Sequence, residues 1–257
     1  MTAIDLLAAV ALLALFAGAA LSYGVRLAVA GAPRFARVDA AGDSPLLGKR
    51  LMVMGYWSLQ PLGRTFVRAG LSADGITKAS FGLGMAAGGA LAAGHLGVGG
   101  ALATLAALGD VLDGLVARAT GTASPRGGLL DAAVDRYGEF FLVGGLALHY
   151  HDHLGELGLA LLALLGSFMV SYGSAKAEAL GVAAPRGAMR RAERAAWLCG
   201  GALLSPLAAT LGASARIGPW IDEAPMLCAL AMVGLVSNVS AVRRLTAVAR
   251  AAGPALR

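Results

Sequence analysis

Four aspartates carry the most pointed chemistry in this sequence: Asp110, Asp113, Asp131 and Asp135. Asp110 and Asp113 stand at i, i+3 and Asp131 and Asp135 at i, i+4, so on two helices each pair shares one face. A short turn around Thr120 to Arg126 brings the two helix ends together. Four carboxylates converging at one depth repel strongly unless cations neutralise them. Oxygen-only ligands on rigid helices point to Mg2+, Mn2+ or Ca2+ rather than zinc. Two ions bridged by such acids are the usual apparatus for displacement at phosphorus. The neighbours suit a phosphate-bearing ligand. Gly114 removes a side chain directly after Asp113, Arg118 one turn further can pair with phosphate, and Gly127 leaves room four residues before Asp131. The plainer alternative, helix-end carboxylates in water paired with Arg118 and Arg136, suits any one aspartate better than all four together with both glycines.

The elements that position these acids follow from composition. The chain has 257 residues, 58% hydrophobic and 14% charged, against about 45–50% and about 25% in an ordinary soluble domain. That balance excludes disorder. Two cysteines, Cys199 and Cys228, exclude a disulfide scaffold or a Cys-rich metal module and read as packing residues. The 37 glycines have no Gly-X-Y period, and glycine and alanine inside apolar runs suit closely packed membrane helices. A spanning helix needs about 20 apolar residues, and seven stretches qualify, roughly 3–24, 77–95, 99–119, 128–150, 155–176, 195–212 and 225–243. The predicted fold is therefore an all-α, polytopic membrane helical bundle. Ionisable groups inside spans are expensive and mark function, and they concentrate in the third and fourth stretches, which also hold Glu139.

Residues 26–73 hold Pro33, Pro45, Pro61 and seven basic residues, Arg26, Arg34, Arg37, Lys49, Arg50, Arg64 and Arg68. Within them, Leu51 to Val67 mixes Met52, Trp57, Leu59, Leu62 and Phe66 with polar positions, as a helix lying in the membrane interface does; a soluble linker helix is the alternative. Further arginines cluster at Arg118 and Arg126, at Arg186, Arg190, Arg191 and Arg194, and at Arg243, Arg244, Arg250 and Arg257. With seven spans these all fall on one side and only Arg216 on the other, which places the N-terminus outside and the C-terminus and the acids in the cytoplasm. The net charge of +6 is thus a matter of topology and contact with membrane lipids, and nucleic-acid binding is rejected. The first stretch lacks a basic n-region and a convincing cleavage site and reads as a retained anchor.

Asp110-Val-Leu-Asp113-Gly114-Leu-Val-Ala117-Arg118, eight residues, Gly127, three residues, Asp131, three residues, Asp135 resembles the CDP-alcohol phosphotransferase signature at every fixed position. The resemblance covers roughly residues 56–245 and implies a six-span family core with an interfacial helix, to which one extra N-terminal span is added. The expected organisation is an extra transmembrane helix at 1–25, a cytoplasmic linker with the interfacial amphipathic helix at 26–73, and the six-span domain at 74–257. The resemblance implies an enzyme of a prokaryotic inner membrane that displaces CMP from a CDP-activated alcohol, usually CDP-diacylglycerol, by the hydroxyl of a second, polar alcohol. It also implies that Asp110, Asp113, Asp131 and Asp135 hold two divalent cations, Mg2+ or Mn2+, with Asp135 as general base and Gly114, Arg118, Ser124 and Gly127 at the CDP.

For the acceptor, Ser171-Tyr172-Gly173-Ser174-Ala175-Lys176-Ala177-Glu178-Ala179-Leu180-Gly181, then Gly187 and Arg191-Ala192-Glu193-Arg194, resembles the phosphatidylinositol phosphate synthase branch. The resemblance puts Lys176, Arg191 and Arg194 at the phosphate of the acceptor, inositol phosphate. Ser174 stands where that branch usually has a basic residue and Arg190 where it has an acid. Other acceptors open to the same chemistry are glycerol phosphate, inositol, serine or an amino alcohol. Asp135-Arg136-Tyr137-Gly138-Glu139 lacks the Pro and Lys that often follow the third aspartate in glycerol-phosphate enzymes, which argues against that acceptor. The rival from another class, an ion-coupled transporter, would place acids near the midplane and repeat its halves; here they crowd toward the cytoplasmic third. His149, His151 and His153 read as a solvated turn on the far side, Asp74 as a helix N-cap, and Gly84/Gly88 as a close-packing GxxxG pair, with a homodimer face as the alternative.

Overall fold

Apolar runs separated by short polar turns fold into helix over most of the described residues. The computed structural model describes residues 2–41, 48–183, 187–215 and 221–253. Among them are nine α-helices and no strand: α1 (Ala3–Ala30), α2 (Ala36–Ala41), α3 (Gly48–Arg68), α4 (Ala73–Ala92), α5 (Leu96–Ala119), α6 (Pro125–His149), α7 (Leu154–Ala179), α8 (Arg191–Ala215) and α9 (Ala224–Ala252). The seven long helices α1 and α4–α9 coincide with the seven expected stretches, and α3 with the interfacial segment. Arg243, Arg244 and Arg250 ride on the extended end of α9 rather than in a tail. Pro45, Arg186, Arg216 and Arg257 lie outside the described residues.

Five helices, α1, α5, α7, α8 and α9, are long and apolar enough to cross a membrane by themselves. The other two fall short for identifiable reasons: glycines 82, 84, 88 and 89 dilute α4, and α6 carries Asp131, Asp135, Arg136 and Glu139. These two pack on one another, and α4 also on α5; α8 packs on α5 and α9, and α7 on α6 and α9. Their shared core holds Leu91, Leu96, Leu146, Leu198, Met226 and Leu230, all essentially inaccessible. Leu161, Leu165, Leu211 and Leu235 point outward instead, where only a hydrocarbon surround would cover them.

The α4–α6 contact is backbone on backbone. A Cβ on Gly88 would stand 2.5 Å from the Phe141 carbonyl oxygen, and one on Gly145 would meet the Gly88 carbonyl. Gly84 lies against Gly138, so the Gly84/Gly88 pair is used inside the chain, on α6. The start of α4 differs from expectation. Ser72, not Asp74, is the N-cap, its hydroxyl accepting from the Gly75 N–H at 3.1 Å. Asp74 falls in the first turn, where its charge still favours the helix N-terminus. Cys199 is buried as expected, but Cys228 is on the outer surface of α9, so it fills no interior gap.

On the far side from the acids, His151 and His153 are exposed, whereas His149 is half-buried and pairs with Glu223 at 3.2 Å. That hydrogen bond holds Glu223 below the usual carboxylate range.

Candidate active site

The site begins with the turn between α5 and α6. Gly121 adopts a left-handed conformation (φ +68°) and the Thr122 N–H returns to the Ala117 carbonyl at 2.9 Å, closing α5 as glycine-terminated helices do. Ser124 then caps α6, accepting from the Gly127 N–H at 3.1 Å, with Pro125 in the first helical turn. The chain therefore reverses within a few residues, and the C-terminal end of α5 faces the N-terminal end of α6.

This brings the acids together. Carboxylate oxygens of Asp110, Asp113 and Asp131 lie within 4.8 Å of one another. Asp113 is 6% exposed and accepts a hydrogen bond from the Thr77 hydroxyl of α4 at 2.6 Å. Asp131 Oδ1 is buried and, among the described residues, finds no hydrogen-bond donor. Asp135 faces the same cavity but is engaged by Arg191 of α8, whose Nη2 is 2.6 Å from Asp135 Oδ1 while Nη1 is 2.6 Å from Asp110 Oδ2. The cavity, of about 80 Å3, runs inward from these acids between α4, α5, α6 and α8, past Gly84, Ala107 and Leu198.

An all-oxygen set in which Asp131 Oδ1 and Asp135 Oδ1 are both buried without a hydrogen bond among the described residues, the latter only ion-paired with Arg191, fits a hard divalent cation. The arginines expected to neutralise the acids in the plainer reading do little of it. Arg136 Nη1 reaches Asp135 only at 4.0 Å. Arg118 lies over Gly114, where a Cβ would stand 3.0 Å from its Nη1, and its Nη2 is 3.5 Å from the Tyr56 hydroxyl of α3.

The three cations read as acceptor contacts occupy different settings. Lys176 is exposed on the last turn of α7. Arg191 reaches into the carboxylates. Arg194 is 1% exposed, paired with Glu139 (Nε to Oε1, 2.5 Å) and donating to the Met189 carbonyl at 2.7 Å. Sequence reasoning missed two side-chain pairings, one at the acids and one on α9. Thr77 is a neutral hydroxyl on another helix, and nothing in its local sequence announces a carboxylate partner. Arg244, 8% exposed, donates to the Ser174 hydroxyl, and its Nε is buried without a partner among the described residues. In sequence it is one more arginine in a basic helix end; its distinction is that α9 places it against Gly173 and Gly187, where a Cβ would crowd it.

The family model for CDP-alcohol phosphatidyltransferases matches residues 71–242, which contain every acid just described. The chain belongs to that family. Archaetidylinositol phosphate synthase of Methanothermobacter thermautotrophicus is 34% identical over 180 residues, 67% of this chain and 85% of that protein. A "Bifunctional IPC transferase and DIPP synthase" of Rubrobacter xylanophilus is 37% identical over 185 residues, but the match spans 70% of this chain and 38% of that longer protein. The crystal structure of Mycobacterium tuberculosis phosphatidylinositol phosphate synthase with CDP-DAG bound superposes with a TM-score of 0.64 at 26% identity, covering 77% of this chain and 96% of that one. The same mycobacterial enzyme in complex with manganese and citrate gives a TM-score of 0.65. This CDP-alcohol phosphatidyltransferase is thus an integral membrane enzyme of the same fold, with its acids on the helices that the family model covers.

Proposed function

We propose that this CDP-alcohol phosphatidyltransferase transfers the phosphatidyl group of CDP-diacylglycerol to a hydroxyl of inositol phosphate and releases CMP. A bond forms between the acceptor oxygen and the lipid-side phosphorus, and the bond from that phosphorus to the CMP oxygen breaks. The observation that carries this reading is the convergence of Asp110, Asp113, Asp131 and Asp135 on one cavity at the ends of α5 and α6. The inositol phosphate assignment is supported by the names of the archaeal and mycobacterial relatives and by Arg191 on the cavity wall.

Asp110, Asp113, Asp131 and Asp135 would hold two divalent cations, Mg2+ or Mn2+, a choice consistent with the manganese-bound mycobacterial relative. When bound, these ions offset charge on the diphosphate and on the departing CMP. The protein's own residues do the rest. Asp135, its side chain 12% exposed, takes the proton from the acceptor hydroxyl. Gly114 and Gly127 leave the helix surfaces open to the CDP, Ser124 offers its hydroxyl proton, and Arg118 over Gly114 supplies the charge for a phosphate oxygen. Lys176, Arg191 and Arg244 surround the acceptor's phosphate. Arg194 adds its charge from beneath, held by Glu139. In this reading residues 74–257 form the six-span transferase domain, α3 is its interfacial helix, and the first span with the linker after it is the addition. In the same reading the acids face the cytoplasm, an orientation that the arginine distribution supports.

The test is release of CMP from CDP-diacylglycerol by the purified full chain, dependent on Mg2+ or Mn2+. The acceptor panel is inositol phosphate, inositol, glycerol phosphate, serine and choline, with the lipid product identified. Inositol phosphate is expected to support turnover. Turnover with another member alone would reassign the acceptor, and no CMP release with any of them would overturn the transferase reading.

A further inference from the structure

The helices that precede the family core are tied to it at both ends. At the outer end Asp5 of α1 is fully buried. Its Oδ1 accepts from the Val98 N–H at 3.2 Å, and its Oδ2 faces His95 Nδ1 at 3.2 Å, so α1 is fastened to the α4–α5 turn. Gly97 permits this, because a Cβ there would run into the Asp5 backbone carbonyl. Midway, Ala9 and Leu12 pack against Leu203 of α8. At the inner end the ring of Tyr23, 7% exposed, meets that of Trp57 of α3 at a tilt with centroids 5.5 Å apart, and joins a cluster with Val38 and Val53.

Tyr56 is the residue where this cluster meets the catalytic bundle. On one side its ring meets Phe35 edge-on at 4.9 Å within the Tyr23 cluster. On the other it packs against the buried group of Ile76, Leu112, Leu115 and Val116 on α4 and α5. Its hydroxyl stands 3.5 Å from Arg118 Nη2, and the Arg118 guanidinium lies over Gly114, next to Asp113. Arg118 is otherwise exposed, and an exposed arginine loses much side-chain entropy when it must point one way.

We infer that α1, α2 and α3 act as a strut for the nucleotide-binding arginine: Tyr23 and Trp57 hold α3, and Tyr56, a positioning residue, keeps Arg118 directed at the CDP moiety. This rests on the reading of Arg118 as a CDP contact. It assigns a role to the extra N-terminal span, which sets the affinity for the CDP-linked lipid from outside the conserved domain.

The experiment measures kcat and KM for CDP-diacylglycerol by CMP release in the full-length protein and in Tyr56→Phe, Tyr23→Ala, Tyr23→Phe and Arg118→Ala, with Tyr56→Phe also placed in the Arg118→Ala background. Tyr56→Phe and Tyr23→Ala are expected to raise KM for the CDP lipid about three- to tenfold, the scale of one net hydrogen bond, and to leave kcat within about twofold. Tyr23→Phe, which keeps the ring, should behave as wild type. In the Arg118→Ala background Tyr56→Phe should add nothing. A merely structural role would lower the amount of folded protein without moving KM. If Tyr23→Ala does not fold, the conservative Tyr56→Phe carries the test. An unchanged KM in Tyr56→Phe, or additive effects in the double variant, overturns the strut while leaving Arg118 as a CDP contact. An unchanged KM in Arg118→Ala overturns that contact, and the strut with it.

Discussion

Arg191 sits where divalent ions would bind, and removing it should tighten metal binding while weakening acceptor binding. Its guanidinium makes two contacts of 2.6 Å, to Asp110 and to Asp135. The contact to Asp135 Oδ1 is an ion pair without a hydrogen bond, whereas a hydrogen bond to a charged group nets about 1.5–3 kcal/mol in stability. The Arg191 side chain is 37% exposed, so solvent screens the pair, and about 1.5–3 kcal/mol for both contacts together is the appropriate scale. An ion that takes Asp110 and Asp135 as ligands must displace these contacts. Arg191→Gln removes that competition, and Mn2+ affinity should rise about 10- to 100-fold. Titration of Mn2+ into the purified, substrate-free protein, followed by calorimetry or by the spin signal of free Mn2+, measures this directly. The variant should also melt at a lower temperature than wild type without metal and recover when metal is added, because four carboxylates are left without their internal cation. The KM for inositol phosphate should rise in the same variant. Unchanged or weaker Mn2+ affinity in Arg191→Gln would refute the competition.

Three further outcomes are expected. Asp135→Asn should abolish CMP release while the protein remains folded and membrane-inserted; near-normal turnover would remove Asp135 from the role of base. Thr77→Val deletes the 2.6 Å hydrogen bond to buried Asp113 and should cost about 1.5–3 kcal/mol of stability, read as a lower melting temperature in detergent, with Thr77→Ser restoring it. On the outer face, the hydrogen bond from His149 lowers the Glu223 pKa on folding. The stability this contributes is therefore full above the ordinary glutamate range, near pH ~4.3, and is lost as pH falls through the lower folded-state value. The melting-temperature gap between wild type and His149→Ala should narrow on acidification through that range, and a gap that stays constant there would contradict the pairing.

What could be read in the sequence was whatever lies within one helix turn or one short loop. The acid spacings, the two glycines beside them and the apolar stretches are local patterns, and helix geometry converts them directly into faces and spans. What could not be read depends on packing between distant elements. Thr77 lies 36 residues from Asp113, and Arg244 lies 70 residues from Ser174, so only the α4–α5 and α7–α9 contacts make partners of them. The destination of Arg191 was hidden for the same reason: its place at the start of α8 was legible, but not that α8 points it at α5 and α6. The Ser72 cap was a closer miss, because Ser72 and Asp74 are both competent caps and the choice turns on the one-residue question of where the helix begins.

The glycine contact between α4 and α6 bears on how the enzyme is made. Neither helix is among the five long and apolar enough to cross a membrane by themselves, and α6 carries acids that are costly in lipid. Where Gly88 and Gly145 meet, each backbone shields the other, and α6 turns its acids toward α5 rather than outward. During synthesis α4 emerges first, α5 follows as a self-sufficient span, and α6 comes last, so the nascent α4–α5 hairpin is the surface onto which α6 can fold as it leaves the insertion machinery. The glycines that dilute the apolar character of α4 are also the ones that let α6 approach it closely and bring its acids beside those of α5.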